Sequence, residues 1–237
     1  MNIIKFEEIP EQMKENFIDK GSSGCAYKLD NNEVYKEFYY PMKDKEVLHR
    51  LSQIKNSAFA LPKQIIEVND EVAGYIMDYV DGVEINYIDE NVSFDQFLLD
   101  IRKFELAVSE LTREFVEIRD INFCNLLYTS EGFKALDTDY YRFYDTDDFS
   151  SMYKKNLDDF NATIMLYLIN YRSIKELPSG IKRMYDYIIL NKGMLLSQYI
   201  KESKTILEGY YNVTIKTMGD FLSITNPNRE KKSYGYK

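Results

Sequence analysis

The sequence predicts an α+β fold in which a small, strand-rich N-terminal lobe precedes a mainly helical C-terminal lobe. Three observations carry that expectation. Turn residues punctuate short aromatic and β-branched runs as far as Tyr79. From Ser93 onward, apolar residues recur every three or four positions, the rhythm of amphipathic helices. Between the helical stretches, Leu126 to Leu136 reads as a lone hairpin. The expected division is residues 1–80 and 81–237, with no linker long enough to separate them.

At 237 residues the chain can bury a substantial core. Its formal net charge of −9 lacks the basic footprint that a phosphate backbone requires, so no nucleic-acid partner is expected. Cys25 and Cys124 form no C-x-x-C pair, and His49 is the single histidine, which argues against zinc sites and Ser-His-Asp triads. Glu and Pro interrupt the first residues where a secretory signal needs an apolar run. No stretch approaches the about 20 apolar residues of a membrane span. The expectation is a cytoplasmic protein with no membrane partner; its oligomeric state is not legible.

The first twenty residues read as a short strand or helix, then one or two amphipathic helical turns from Glu11 to Phe17. Gly21-Ser22-Ser23-Gly24 is a small-residue turn that runs through Cys25 and Ala26 into a strand ending at Leu29. Asp30 to Glu33 has strong turn chemistry, and Val34 to Phe38 returns as the partner strand. A glycine turn entering a hairpin is commonly only a turn, although its bare backbone can also approach phosphates closely. No helix follows it, so neither a Rossmann nor a Walker loop fits. Lys36, taken alone, is a solvated strand lysine.

Val47, Leu48, Leu51 and Ile54 stand at helical spacing within Lys43 to Ile54, a segment that also carries Glu46 and His49. His49 reads as a satisfied boundary residue. After Ala60-Leu61-Pro62, two strands, Lys63 to Val68 and Glu71 to Tyr79, join at Asn69-Asp70. Ser93 is placed to N-cap a helix of about 20 residues with Phe94, Phe97, Leu98, Ile101, Phe104, Val108 and Leu111 on its core face.

The chemistry concentrates in Ile118 to Tyr141. Asp120 and Asn125 stand just before the strand Leu126 to Tyr128. After the turn at Thr129 to Gly132, a second strand delivers Asp137 and Asp139, and the hairpin returns Asp137 to Asn125. A carboxylate and an amide together are hard oxygen ligands of the kind that hold Mg²⁺ against phosphates. Asp120 is then placed to accept a proton from a hydroxyl. A polar, tyrosine-rich segment runs on to Lys155, and Asn156-Leu157-Asp158-Asp159-Phe160 precedes an apolar helix from Ala162 to Ile169. Helices are expected over Pro178 to Leu190, Leu195 to Glu208 and Val213 to Leu222, with a polar tail from Asn226.

In this order the features resemble the protein-kinase-like phosphotransferases, bacterial protein kinases and the aminoglycoside and choline kinases among them, over residues 18–170. Arg119-Asp120 and Asn125 match the catalytic loop H-R-D-x-x-x-x-N, with Ile118 in place of the histidine. Leu136-Asp137-Thr138-Asp139 stands where those families carry D-F-G or an Ile-Asp-aromatic-acid sequence. The resemblance implies a bilobal protein-kinase-like fold that uses ATP and Mg²⁺. Gly21, Ser22, Ser23, Gly24, Cys25 and Ala26 would cover the phosphates, and Lys36 would pair with them, steadied by Glu46. Met77 would be the gatekeeper, with Asp78 and Val80 in the hinge. Asn125 and Asp137 would hold Mg²⁺, Asp120 would be the catalytic base, and Asp158 or Asp159 would anchor the catalytic loop.

The implied activity is transfer of a γ-phosphate to a hydroxyl of a protein or small molecule. Asn122, where protein kinases carry a lysine, favours a small acceptor, whereas the chain length leaves limited room for a substrate-binding insert. Ile118, the irregular glycine turn, and Asp139 in place of the D-F-G glycine favour a second reading. That reading is a catalytically inactive kinase-like module that binds a nucleotide or a protein.

Overall fold

The short strand runs of the first third assemble into a six-stranded sheet in the computed structural model, which describes residues 3–42, 45–145, 148–170, 172–189 and 195–228. In chain order the strands are β1 (Ile3–Phe6), β2 (Phe17–Lys20), β3 (Gly24–Leu29), β4 (Glu33–Met42), β5 (Gln64–Val68) and β6 (Glu71–Asp78). Their spatial order is β1-β5-β6-β4-β3-β2, antiparallel except for the parallel β1–β5 pair. The β5–β6 turn falls at Asn69 and Asp70, whose φ values of 51° and 66° are the left-handed pair that a tight hairpin demands.

Two glycines are required by close backbone approach. A Cβ on Gly24 would lie 1.9 Å from the Glu37 carbonyl oxygen, and one on Gly74 would lie 2.0 Å from that of Lys36. The glycine turn is therefore the bend of a β2–β3 hairpin as well as the approach to β3. This corrects the helical expectation for Glu11 to Phe17. A single 3₁₀ turn spans Glu11–Lys14, and Phe17 opens an edge strand whose four residues are all exposed.

Helix α1 (Glu46–Leu51) bridges the two lobes, because Leu48 joins the core of the sheet while Leu51 joins that of the helices. The expected start of this helix, Lys43 and Asp44, lies outside the described residues. Helix α2 (Phe94–Arg113) buries the face read from its periodicity. Ser93 stands at its N-cap position, yet its side chain makes no capping hydrogen bond.

Strands β7 (Val83–Glu84), β9 (Leu126–Thr129) and β10 (Gly132–Ala135) form a three-stranded sheet, and β8 (Val116–Glu117) pairs with β11 (Arg142–Phe143). Helices α3 (Phe149–Leu168), α4 (Ser179–Ile189), α5 (Leu196–Tyr211) and α6 (Met218–Thr225) complete the lobe. Rings hold this half together. Phe104 stacks on Phe160 at 4.4 Å, and Phe133 meets Phe97 at 5.5 Å and Phe160 at 5.6 Å. They lock the β9–β10 hairpin between α2 and α3.

Two helix starts differ from the sequence expectation, each for a capping reason. Asp148 accepts the Ser151 N–H and starts α3 at Phe149, so Asn156 to Phe160 lie within the helix rather than before it. Thr217 and Asp220 form a reciprocal capping box that delays α6 to Met218. Asn226 is also no part of a free tail: it is buried, and its Nδ2 donates to the Tyr167 carbonyl at 2.8 Å.

Candidate active site

The hairpin performs the juxtaposition its sequence predicts. Residues Leu126 to Ala135 pair in register, and at the hairpin's open end Leu136 N–H donates to the Asn125 carbonyl at 2.7 Å. Asp137 follows at once, with φ of 61°. Asp120 also has φ of 61°, so both acids occupy a left-handed conformation that costs a non-glycine residue energy unless its surroundings enforce it.

The enforcement around Asp120 is visible. Asn125 Nδ2 donates to its carbonyl and to its Oδ2, both at 3.0 Å, while Asn122 Nδ2 donates to its Oδ1 at 2.8 Å. Asn122 Oδ1 in turn accepts the N–H groups of Cys124 and Asn125 at 2.9 and 3.2 Å, closing the loop on itself. From below, α3 supplies two acceptors. Asp159 Oδ2 takes the Asp120 N–H at 3.0 Å, and Asn156 Oδ1 takes the Ile118 N–H at 2.9 Å. Of the two aspartates proposed as the anchor, Asp159 makes this contact.

Asn156 is a site residue that the sequence reading missed. Its Nδ2 also donates to Thr112 Oγ1 and to the Val116 carbonyl, all in the buried interior. Its signal was present in the run Asn156 to Phe160, which placed the anchor on the acids alone.

Lys36 reaches the site from β4. It is buried, with 7% of its side chain exposed, and its Nζ ion-pairs with Asp137 and, at 2.6 Å, with Asp139. Tyr75 donates its hydroxyl to the same Asp139 oxygen at 3.4 Å. Burial lowers the pKa of Lys36, and the charges of Asp139 and Asp120 oppose that shift. Among the described residues the ion pairs of Lys36 run to Asp137 and Asp139 rather than to Glu46, the partner that the resemblance implies. Glu46 sits at the start of α1, on the wall of a cleft that Asp139 also lines.

Above Lys36, the turn Gly21 to Ala26 bends over the end of β4. Gly21 N–H donates to the Gly24 carbonyl at 2.9 Å, and Tyr39 N–H donates to the Ser23 carbonyl at 3.0 Å. Cys25 is half-buried, its Sγ 3.7 Å from the Tyr39 hydroxyl. Ala26, Val34, Met77, Val80 and Leu136 share one apolar cluster, drawn from three strands, the segment after β6 and the end of the hairpin. Asp78 points outward to Lys63 at 2.9 Å, and the next N–H, that of Tyr79, donates to the Asn32 carbonyl at 2.9 Å. His49 is not satisfied as expected: among the described residues its buried ring nitrogens have no hydrogen-bond partner, and Nε2 lies 3.8 Å from Glu67 Oε1.

The donor set fits a hard cation. Asn125 donates through Nδ2, which leaves its Oδ1 unbonded among the described residues, and Asp137 retains a second oxygen beyond the one Lys36 holds. No three His, Cys, Asp or Glu side chains gather as a metal cage among the described residues. A metal on Asn125 and Asp137 would therefore complete its shell with phosphate and water oxygens, as Mg²⁺ does.

No protein-family model matches the chain, and no curated protein matches its sequence. Among solved structures, the pseudokinase DRIK1 (drought responsive inactive kinase 1), in a co-crystal bound to ENMD-2076, matches with a TM-score of 0.53 and 11% identity. That match covers 81% of this chain and 90% of the other. The chain has a protein-kinase-like fold, with a β-sheet N-lobe and a helical C-lobe. None of its described helices is long and apolar enough to cross a membrane.

Proposed function

We propose that the protein is an ATP- and Mg²⁺-dependent phosphotransferase acting on a hydroxyl, with its two lobes meeting near residue 80 and its place of action in the cytoplasm. The supporting observation is the single connected assembly of Lys36, Asp137, Asp139, Asp120 and Asn125, built from both lobes. Bound ATP–Mg²⁺ supplies the phosphoryl group and neutralises the charge that develops on it. Asn125 Oδ1 and Asp137 would hold the metal, and Lys36, now on Asp137 and Asp139, would pair with the phosphates. The turn Gly21 to Ala26 covers them, while Ala26, Val34 and Met77 offer an apolar seat to the base. Asp120, its carboxylate oriented by Asn122 and Asn125, takes the proton from the acceptor hydroxyl. Most of the acceleration in such a site comes from positioning and electrostatics.

A second reading rests on the pairing of Lys36 with Asp137 and Asp139. Lysine and metal acid neutralise one another there, an arrangement that an inactive kinase-like module would keep permanently. A thermal shift with ATP–Mg²⁺, read beside an assay of phosphate transfer, separates the two. The active reading expects stabilisation of about 2.7 kcal/mol at a hundredfold excess over Kd, or roughly 5–10 °C in Tm for a chain of this size. Asp137→Ala should weaken that shift and Asp120→Ala should retain it while abolishing phosphate transfer. Absence of a shift with any divalent metal would favour the inactive module.

A further inference from the structure

A cleft of about 790 Å³ adjoins the assembly just described, walled by the glycine turn, α1 and the segment after Asp139. Asp139 lines it, and the same carboxylate holds Lys36 at 2.6 Å. Two arginines stand in its walls. Arg50 from α1 and Arg142 from β11 both line the cleft, and neither guanidinium has an ion-pair partner among the described residues. The two side chains bring a pair of guanidinium groups to one cavity. Arg50 sits over the Phe143 ring, its Cζ 3.6 Å from the centroid, a contact that leaves its N–H donors available.

Two hydroxyls in the same walls are also orphaned. Ser23 Oγ and Tyr141 OH are buried without a hydrogen-bond partner among the described residues, and each such group calls for an explanation. Tyr141 lies within the electrostatic reach of Asp120, Asp159 and Asp139, so it links this cleft to the catalytic loop. The opposing carboxylates are Asp139, which Lys36 neutralises, and Glu46. The volume suits a small molecule.

We infer that this cleft receives the acceptor, and that the acceptor is a small hydroxyl compound carrying a phosphate or carboxylate group held by Arg50 and Arg142. The inference rests on the phosphotransferase reading for the word acceptor, though not for the anion site itself. Guanidinium forks match both anions in a bidentate manner, and Ser23 and Tyr141 supply two further donors. With its anionic end held there, the ligand's hydroxyl end extends past Asp139 toward Lys36 and Asp120.

The test titrates inorganic phosphate into the full-length protein saturated with a non-hydrolysable ATP analogue and Mg²⁺, and separately records the ATP–Mg²⁺ thermal shift. Phosphate should bind in the presence of the analogue, and Arg142→Gln and Arg50→Gln should each weaken it at least tenfold while keeping the nucleotide shift. Arg50→Gln also forfeits the stacking on Phe143, so the exposed Arg142 carries the test if that variant folds poorly. With γ-labelled ATP, hydroxy acids and sugar phosphates should exceed neutral polyols at least tenfold in kcat/KM, and Arg142→Gln should erase the preference. Phosphate binding that ignores Arg142→Gln, or that the analogue abolishes, overturns the anion cleft even when the nucleotide shift is intact. Phosphate binding that depends on Arg142 without any nucleotide shift overturns the acceptor role and, with it, the phosphotransferase reading.

Discussion

The Asp159 carboxylate accepts the backbone N–H of Asp120 at 3.0 Å, tying the middle of α3 to the loop that precedes β9. Asp120 has φ of 61° there, a conformation that needs an external hold. Asp159→Ala removes the hold at an exposed position, so the cost to folding should be small, roughly 1 kcal/mol or less. On the proposed phosphotransferase function the cost to turnover should be larger, about 10- to 100-fold in kcat, because the misplacement falls on the proposed base. Steady-state kinetics beside a urea melt would show the split. Equal losses in both would reduce Asp159 to a folding residue.

Asn156 should behave in the opposite way. It makes three buried hydrogen bonds, at 2.9 Å to Ile118 N–H, 2.9 Å to Thr112 Oγ1 and 2.8 Å to the Val116 carbonyl. Asn156→Ala strands those partners in the interior, at about 1–3 kcal/mol for each that water cannot reach. A loss of roughly 3 kcal/mol in urea unfolding is expected, with the nucleotide shift preserved at temperatures below the new melting point. A variant as stable as the parent would show that the interior relaxes around the gap.

The contrast between these two residues marks what the sequence made legible. Asp159 could be proposed because the resemblance to the kinase-like phosphotransferases places an anchoring aspartate in that run. Asn156, three positions earlier, acts only through residues about forty positions away, and no local periodicity encodes that. The β9–β10 hairpin was readable because its turn chemistry and apolar strands are contiguous. Strand β2 was not, because Phe17–Lys20 is an exposed edge with no buried face to impose alternation. The same limit applies to Lys36. Its place on β4 follows from the β3–β4 turn, but which of Glu46, Asp137 and Asp139 it meets is set by how the lobes close.

Acid stability should depend on Glu117. Burial pushes its carboxyl up, but hydrogen bonds from Arg119, Lys155 and Tyr144 outweigh burial and hold it at about 2. Its side chain is 2% exposed, with Arg119 at 2.5 Å and Lys155 at 2.6 Å. A folded-state pKa below the unfolded value means the contribution is complete above about 4.5 and disappears as the pH falls toward about 2. Arg119 and Lys155 are 38% and 57% exposed, so solvent screening keeps the effect to about 1–3 kcal/mol. Glu117→Gln should be less stable at neutral pH and should lose less between those two pH values. Parallel stability curves for parent and variant would remove Glu117 from the acid transition.

Cys124 reports on the charge around the loop that carries Asp120. It is exposed, yet its thiol pKa is raised, first by partial burial and then by the charges of Glu84, Asp19 and Asp120. The thiolate is the reactive species, so alkylation near neutral pH should be slower than for a thiol in the unfolded chain. Removing a neighbouring negative charge lowers the thiol pKa and raises the thiolate fraction. Glu84→Gln should therefore speed modification by about two- to threefold, and Asp120→Asn by somewhat less. Mass spectrometry of Cys124 after timed iodoacetamide exposure measures this directly. If neither variant changes the rate while urea still accelerates it, burial alone governs the thiol and the carboxylates do not set the local field.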